Sequence, residues 1–329
     1  PGLSTLLMEA VNEEISKTQK GDQDKEDLKK YLRDFLSHKP IYTNTQDHYI
    51  RNTKEKHYIT EISFFGSYQI GFHTQNSDVD VIAFSSDYYN RESKYTYENQ
   101  VENSEHEREV LGSLFNYFRE LKEDTEQEQN SLNKQNREGS IYEKGEKGEK
   151  EEKKEIAIDF VITELNFFST AKTPIIRMEC IPKSKYKDYT LKIKSHTNNI
   201  DFINNTEYYD SITVKADITA NREDSVRECK YKVFVSSNCS PYFKPLNILL
   251  KLLLGKLDLN TSYRGGLSSA LLFNMTLVYD KFLFQIQSKL SMFLPESIVE
   301  KHIKHLMAQL LGKTHTESLS FLEYTLGFF

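Results

Sequence analysis

Asp78 and Asp80 stand two residues apart in "DVDVIAF", an otherwise apolar run rich in β-branched residues. In a strand, residues i and i+2 project to one face, so the two carboxylates point together while Val79 and Val81 point the other way. Carboxylates held side by side repel each other and lose solvation unless a positive charge lies between them. A divalent cation meets that need, with oxygen-only ligands of the kind Mg²⁺ takes. Such a site calls for a third carboxylate, and strand alternation leaves two candidates open. Asp159 in "IAIDFVI" shares its face with Ala157 and Val161, whereas Asp217 in "SITVKADITA" shares its face with Lys215 and Thr219. Ahead of the pair, Gly66-Ser67 makes a small turn at which backbone N–H groups and the Ser67 hydroxyl can approach a phosphate closely. The plain alternative is a turn followed by a solvated strand edge.

These residues need elements to hold them. From "YITEISFFGS" to "DVDVIAFSS" the hydrophobic period is two, which predicts a strand pair, and "IAIDFVI" and "SITVKADITA" add further strands. Helical spacing marks "LSTLLMEAVNEEISK", with Leu3, Leu6, Leu7, Ala10, Val11 and Ile15 on one face, and "KEDLKKYLRDFLSH", with Leu28, Tyr31, Leu32 and Phe35 inward. It returns in "REVLGSLFNYFRELKED" and, from Pro245 onward, in "PLNILLKLLLGKL", "GLSSALLFNMTLVYDKFLFQI" and "SLSFLEYTLGFF". Between these blocks, residues 123–155 are poor in apolar side chains and carry a short Glu-Lys-Gly repeat. That composition predicts a disordered low-complexity insertion, because it buries too little surface to offset ordering entropy.

The chain has 329 residues, enough for two domains, with 38% hydrophobic and 28% charged residues. Its formal net charge is −6, and the insertion alone supplies −4 from eleven acidic and seven basic residues. The remainder is near neutral, so global charge neither points to a nucleic-acid binder nor excludes one with a local basic groove. Cys180, Cys229 and Cys239 show no metal-type spacing, and their odd number suits a reducing compartment. The longest apolar run is interrupted by Lys251 and is too short to cross a bilayer. No signal peptide is visible; the chain opens at Pro1 without a Met, which leaves a preceding targeting sequence open.

Gly66-Ser67 followed by the apolar-Asp-apolar-Asp run resembles the signature of the DNA polymerase β-like nucleotidyltransferases. A second block, "PLNILLKLLLGKLDLNTSYRGGLSSALLFNM", is similar to the central-domain motif of noncanonical poly(A) polymerases and terminal uridylyltransferases. "AKTPIIRM" looks like the segment these enzymes carry ahead of their third catalytic Asp. The Gly265-Gly266-Leu267-Ser268-Ser269 form leans toward the nuclear branch found in TRAMP-type RNA surveillance complexes. The resemblance implies an α+β fold: a polymerase β-like α/β nucleotidyltransferase domain over residues 46–235, a helical central domain over 240–329, and a cleft between them. The N-terminal helices of residues 1–45 are expected to pack with the central domain.

The resemblance also implies roles. Asp78 and Asp80 would hold two Mg²⁺ (or Mn²⁺) ions, and it selects Asp217 over Asp159 as the third catalytic and metal-binding carboxylate, since "AKTPIIRM" lies between the two. Gly66, Ser67, Lys251, Ser268 and Ser269 would bind the nucleotide, Lys251 at its β/γ-phosphates. Lys251 could otherwise be a snorkelling residue on an amphipathic helix, and Ser268 and Ser269 could simply cap theirs. The implied activity is template-independent addition of AMP from ATP to an RNA 3′ end. Uridylyl transfer and a catalytically silent scaffold are the alternatives. Because no RNA-binding signature is visible, an RNA-binding partner protein is expected, with a nuclear or otherwise cytoplasmic location and no membrane association. Three departures from the family pattern stand out. Ala270 occupies the place of a base-stacking Tyr, Asp224-Ser225 that of an Asn-Gly pair, and the base-recognition loop would fall beyond Phe329.

Overall fold

Period-two segments pair and period-3.6 segments coil largely where the hydrophobic pattern places them. The computed structural model describes residues 3–44, 54–88, 100–137, 160–186, 212–260 and 265–291. The chain divides into two units. A sheet unit comprises Gly21–Phe65 and Asp78–Glu223, and a helical unit comprises Pro1–Lys20, Gly66–Ser77 and Asp224–Phe329.

The sheet unit is built on β1 (Pro40–Asn44), β2 (Lys54–Phe65), β3 (Val79–Ser85), β4 (Phe160–Phe168), β5 (Ile175–Pro182) and β6 (Val214–Ala220). Their order is β1-β2-β3-β6-β5-β4. Every neighbouring pair is antiparallel except β3 and β6, which run parallel. The expected β2–β3 pair and β6 are present. β1 and β5 are additional: "PIYTN" is too short to show a period, and "IIRMECIP" mixes both faces.

One face of this sheet carries Val79, Val81, Ala83, Ile176, Met178, Cys180, Val214, Ala216, Ile218 and Ala220, all buried in a single core. Two helices cover it. The C-terminal half of α1 (Leu3–Leu36) contributes Leu28, Tyr31, Leu32, Phe35 and Leu36, and α3 (Gln100–Arg137) contributes Val110, Leu111, Leu114 and Phe118. Rings tie the helices together and to β4, with Phe35–Phe118 centroids 5.5 Å apart and Tyr31–Phe160 at 5.8 Å. Each fully buried side chain of this size contributes about 1.5–3 kcal/mol. That burial corrects two expectations. α1 is a single helix, because a mid-helix Gly21 costs only about 1 kcal/mol against two buried apolar faces. Its second half also belongs to the sheet unit rather than to the helical one.

A further correction concerns the insertion. α3 runs through Arg137, so the first part of residues 123–155 is helical, not disordered. Glu, Gln and Lys are good helix formers, and propagation from a nucleus already packed on the sheet costs little. Thr125 is buried there, and its hydroxyl donates to the Leu121 carbonyl at 2.7 Å. Residues 138–155 lie outside the described residues, as do Asp159 and "SLSFLEYTLGFF".

The helical unit holds α2 (Gly66–Gln69), α4 (Glu223–Ser236), α5 (Phe243–Lys256) and α6 (Ser269–Ser291). Val11 of α1 packs with Leu246, Ile248, Leu249, Leu250 and Leu272. A second cluster stacks Phe72, Phe243 and Phe273 edge to face at 5.2–5.3 Å. Phe72 is why Gly66–Ser77 joins this unit, although its sequence lies within the stretch expected to form the catalytic domain.

The parallel β3–β6 pair is clamped at its C-terminal end. Asn221 has a positive φ of 54°, and its N–H donates to the Ala83 carbonyl at 3.0 Å. Its side chain accepts from the Ser85 N–H and donates to the Ser85 hydroxyl. Beyond β3, buried Asp87 lies 3.2 Å from His106 Nε2 and 3.8 Å from His57 Nε2. Burial alone would raise the Asp87 carboxyl. The nearby His106 ring and Ser85 hydroxyl, together with the His106 and His57 charges, outweigh it and hold the group well below the usual carboxylate range. A lowered folded pKa stabilises above the unfolded value of about 4 and is lost progressively as pH falls below it. Asp87→Asn is therefore expected to cost about 1–3 kcal/mol at neutral pH and to weaken the acid dependence of stability. Urea melts at pH 7 and pH 3 check both.

Candidate active site

The face of the sheet opposite the helices carries charge. In the parallel pair Asp80 stands level with Asp217, and in the neighbouring antiparallel pair Arg177 stands level with Asp217. Residues at one register level share a face, so Asp80, Asp217 and Arg177 form a row across β3, β6 and β5. One level along, Glu179 opposes Lys215, with Nζ 3.5 Å from Oε1. Asp78 immediately precedes β3. Arg177 holds Asp217 in a bidentate pair, Nε to Oδ1 at 2.8 Å and Nη2 to Oδ2 at 2.7 Å.

Asp78 feels this row. Burial is the main force pushing its carboxyl up, to about 6, and the negative charge of Asp217 adds to it, while Arg177, Lys215 and Lys25 pull the other way. Asp78 and Asp217 are thus close enough to repel, and burial keeps the Asp78 carboxyl raised despite three nearby cations. An added positive charge would favour its ionised form, and the ligands present, carboxylate oxygens only, suit a hard divalent ion. Among the described residues no three His, Cys, Asp or Glu side chains converge on a point that could hold a cation. Both Asp217 oxygens are instead committed to Arg177.

The helical unit carries the other half of the sequence pattern. Gly66 and Gly71 both have φ of 76°, a left-handed conformation that a Cβ would strain, and they bracket the one-turn α2. The Phe72 N–H closes back on the Ser67 carbonyl at 2.9 Å. Lys251, halfway along α5, reaches this same turn and donates from Nζ to the Phe72 carbonyl at 2.6 Å. Gly66, Ser67 and Lys251 are thus brought together. Ser268 precedes α6, and its hydroxyl accepts from the Leu271 N–H at 3.2 Å, the geometry of a helix cap. Ser269 is the first residue of α6.

Residues 47–184 match the family described as a nucleotidyltransferase domain. The match runs from the segment before β2 through β5. It covers Gly66, Ser67, Asp78, Asp80 and Arg177 and stops short of Asp217. The nucleotidyltransferase domain agrees with the α+β fold implied by the sequence. None of the curated proteins matches this chain. Among solved structures, Terminal uridylyl transferase 4 from Trypanosoma brucei with bound GTP is 16% identical with a TM-score of 0.39, over 68% of this chain and 47% of that one. Cid1 in complex with its short product ApU is 16% identical with a TM-score of 0.41, over 83% and 52%. The chain spans about half the length of these structures.

Arg177 has no role in the sequence reading, although "AKTPIIRM" includes it. Strand alternation puts Arg177 and Glu179 on one face, but only the β5–β6 register sets Arg177 against Asp217. The His57–Asp87–His106 cluster is likewise invisible in sequence, since three distant segments supply it.

Proposed function

We propose that this chain is a template-independent nucleotidyltransferase that adds nucleotides to an RNA 3′ end, with ATP as the donor. The alignment of Asp80 with Asp217, with Asp78 one residue ahead of β3 and a nucleotidyltransferase domain over residues 47–184, carries this reading. Asp78, Asp80 and Asp217 would hold two divalent cations, which when bound supply charge neutralisation and activate the attacking hydroxyl. The chain's own residues do the rest. The carboxylate row fixes where positive charge can sit. The Gly66-Ser67 turn and Lys251 contact the triphosphate, Lys251 as a point charge. Ser268 acts chiefly through the helix it caps, and Ser269 adds a hydroxyl at that helix start.

The preference for ATP and a nuclear location rest on the Gly-Gly-Leu-Ser-Ser run, and an RNA-binding partner protein on the lack of a visible RNA-binding signature in the sequence. Primer extension on a short RNA with each of the four NTPs, in Mg²⁺ and in Mn²⁺, tests the reaction. Extension with ATP supports the proposal, extension with UTP alone replaces the donor, and no extension with any NTP leaves the silent scaffold. Lys251→Met is expected to raise KM for the nucleotide about 10–100-fold with a smaller change in kcat, the loss of one charge-assisted contact. Steady-state kinetics at varied NTP concentration checks it.

A further inference from the structure

We propose that Arg177 is a positioning residue that serves Asp217 as an internal counter-ion and competes with the divalent cation for the same two oxygens. This deepens the proposed function and rests on it for the identity of the cation site. The inference starts from stoichiometry. A carboxylate has two oxygens, and here the guanidinium takes both, at 2.8 and 2.7 Å. The planar fork of an Arg is the side chain whose shape allows this. Both oxygens of Asp217 are therefore engaged in the pair.

The exposure of the two partners is lopsided. The Arg177 side chain is 47% exposed, whereas that of Asp217 is 10% exposed. Water can take over the guanidinium when the pair opens, but it cannot reach the carboxylate equally well. Breaking the pair is therefore cheap on the Arg side and costly on the Asp side, unless another positive charge replaces the guanidinium as it leaves. A divalent cation is such a charge. Among the described residues, Lys215 on this face is paired with Glu179 one level along. Arg177 is thus the group placed to make the exchange. The register enforces it, because β5 and β6 set Arg177 and Asp217 directly opposite each other and β3 sets Asp80 on the far side of Asp217. In the cation-free chain the pair keeps Asp217 in line with Asp80 and offsets its charge; in the loaded chain the guanidinium is released to solvent.

The test is Mn²⁺ binding by the full chain without nucleotide, read as the loss of the free-ion electron paramagnetic resonance signal. Arg177→Met removes the competitor and is expected to tighten Mn²⁺ binding tenfold or more. Arg177→Lys keeps the charge but not the fork, and is expected to fall between it and the wild type. In the Asp217→Asn background the gain from Arg177→Met should vanish, because the oxygens in contention are gone. A purely structural Arg177 would lower thermal stability and leave Mn²⁺ affinity where it was. Unchanged or weaker affinity in both Arg177 variants overturns the proposal. If Arg177→Met does not fold, Arg177→Lys alone decides by the same criterion. Absence of Mn²⁺ binding in the wild type and every variant overturns the cation reading as well as this one, whereas binding that ignores Arg177 overturns this one alone.

Discussion

Asp217→Ala is expected to lower the rate of nucleotide addition by several powers of ten while NTP affinity is kept and the fold survives. Asp217 stands level with Asp80 across the parallel pair, so its removal takes one side from the carboxylate row that would bind the ion activating the RNA 3′-hydroxyl. Asp78 and Asp80 would still hold a second ion, which is why nucleotide binding is expected to persist. The fold should hold for two reasons. The half-exposed Arg177 can turn to water once its partner is gone, and Asp78 loses a repelling neighbour. Asp159→Ala should change the rate little. Single-turnover extension kinetics on the two variants decides between the strands; a fast Asp217→Ala beside a dead Asp159→Ala would overturn the assignment.

Asp78→Asn is expected to abolish nucleotide addition and, in cation-free buffer, to make the protein more stable at neutral pH. Burial first, and the Asp217 charge second, push the Asp78 carboxyl from 3.8 up to about 6. Between those values the folded chain holds a proton that the unfolded chain has released, so stability falls as pH rises through that window. At pH 7 the buried charge costs up to about 3 kcal/mol, which an amide does not incur. Thermal melts of the wild type should therefore show a higher Tm near pH 4.5 than near pH 7 from this group, and Asp78→Asn should flatten that difference. Saturating Mn²⁺ should narrow the gap between variant and wild type at pH 7, since only the wild type keeps the full ligand set. Retained activity in Asp78→Asn or Asp80→Asn would falsify the metal assignment.

The strands that carry chemistry are legible because each holds a polar residue at a fixed phase within an apolar period. Asp78 and Asp80 can be placed on one face from Val79 and Val81 alone. The third carboxylate cannot, because alternation treats Asp159 and Asp217 alike, and only the β3–β6 pairing puts Asp217 level with Asp80. Arg177 is hidden for the same reason: its partner lies forty positions on, across a register that no local pattern encodes. The insertion is misread at its start because helix propagation from a packed nucleus extends further than composition suggests. Gly66 and Gly71 illustrate the opposite case. Their left-handed backbone is legible in residue type, while the reach of Lys251 to the Phe72 carbonyl is not.

The parallel pairing of β3 with β6 sets when the carboxylate row can exist. Thr219 donates to the Val81 carbonyl across 138 positions of chain, and the segment between contains α3, β4 and β5. Closing a loop of that span costs roughly 4 kcal/mol of chain entropy, and doubling it would add only about 0.6 kcal/mol. Length changes within the intervening segment are therefore cheap at equilibrium but leave the closure itself a long-range event, the kind that slows folding. During synthesis, Asp78 and Asp80 emerge well before Asp217 and Arg177. The row then assembles only after β6 has left the ribosome, so until then a nascent chain lacks the complete set of carboxylates, and Arg177 on β5 emerges before the carboxylate it balances.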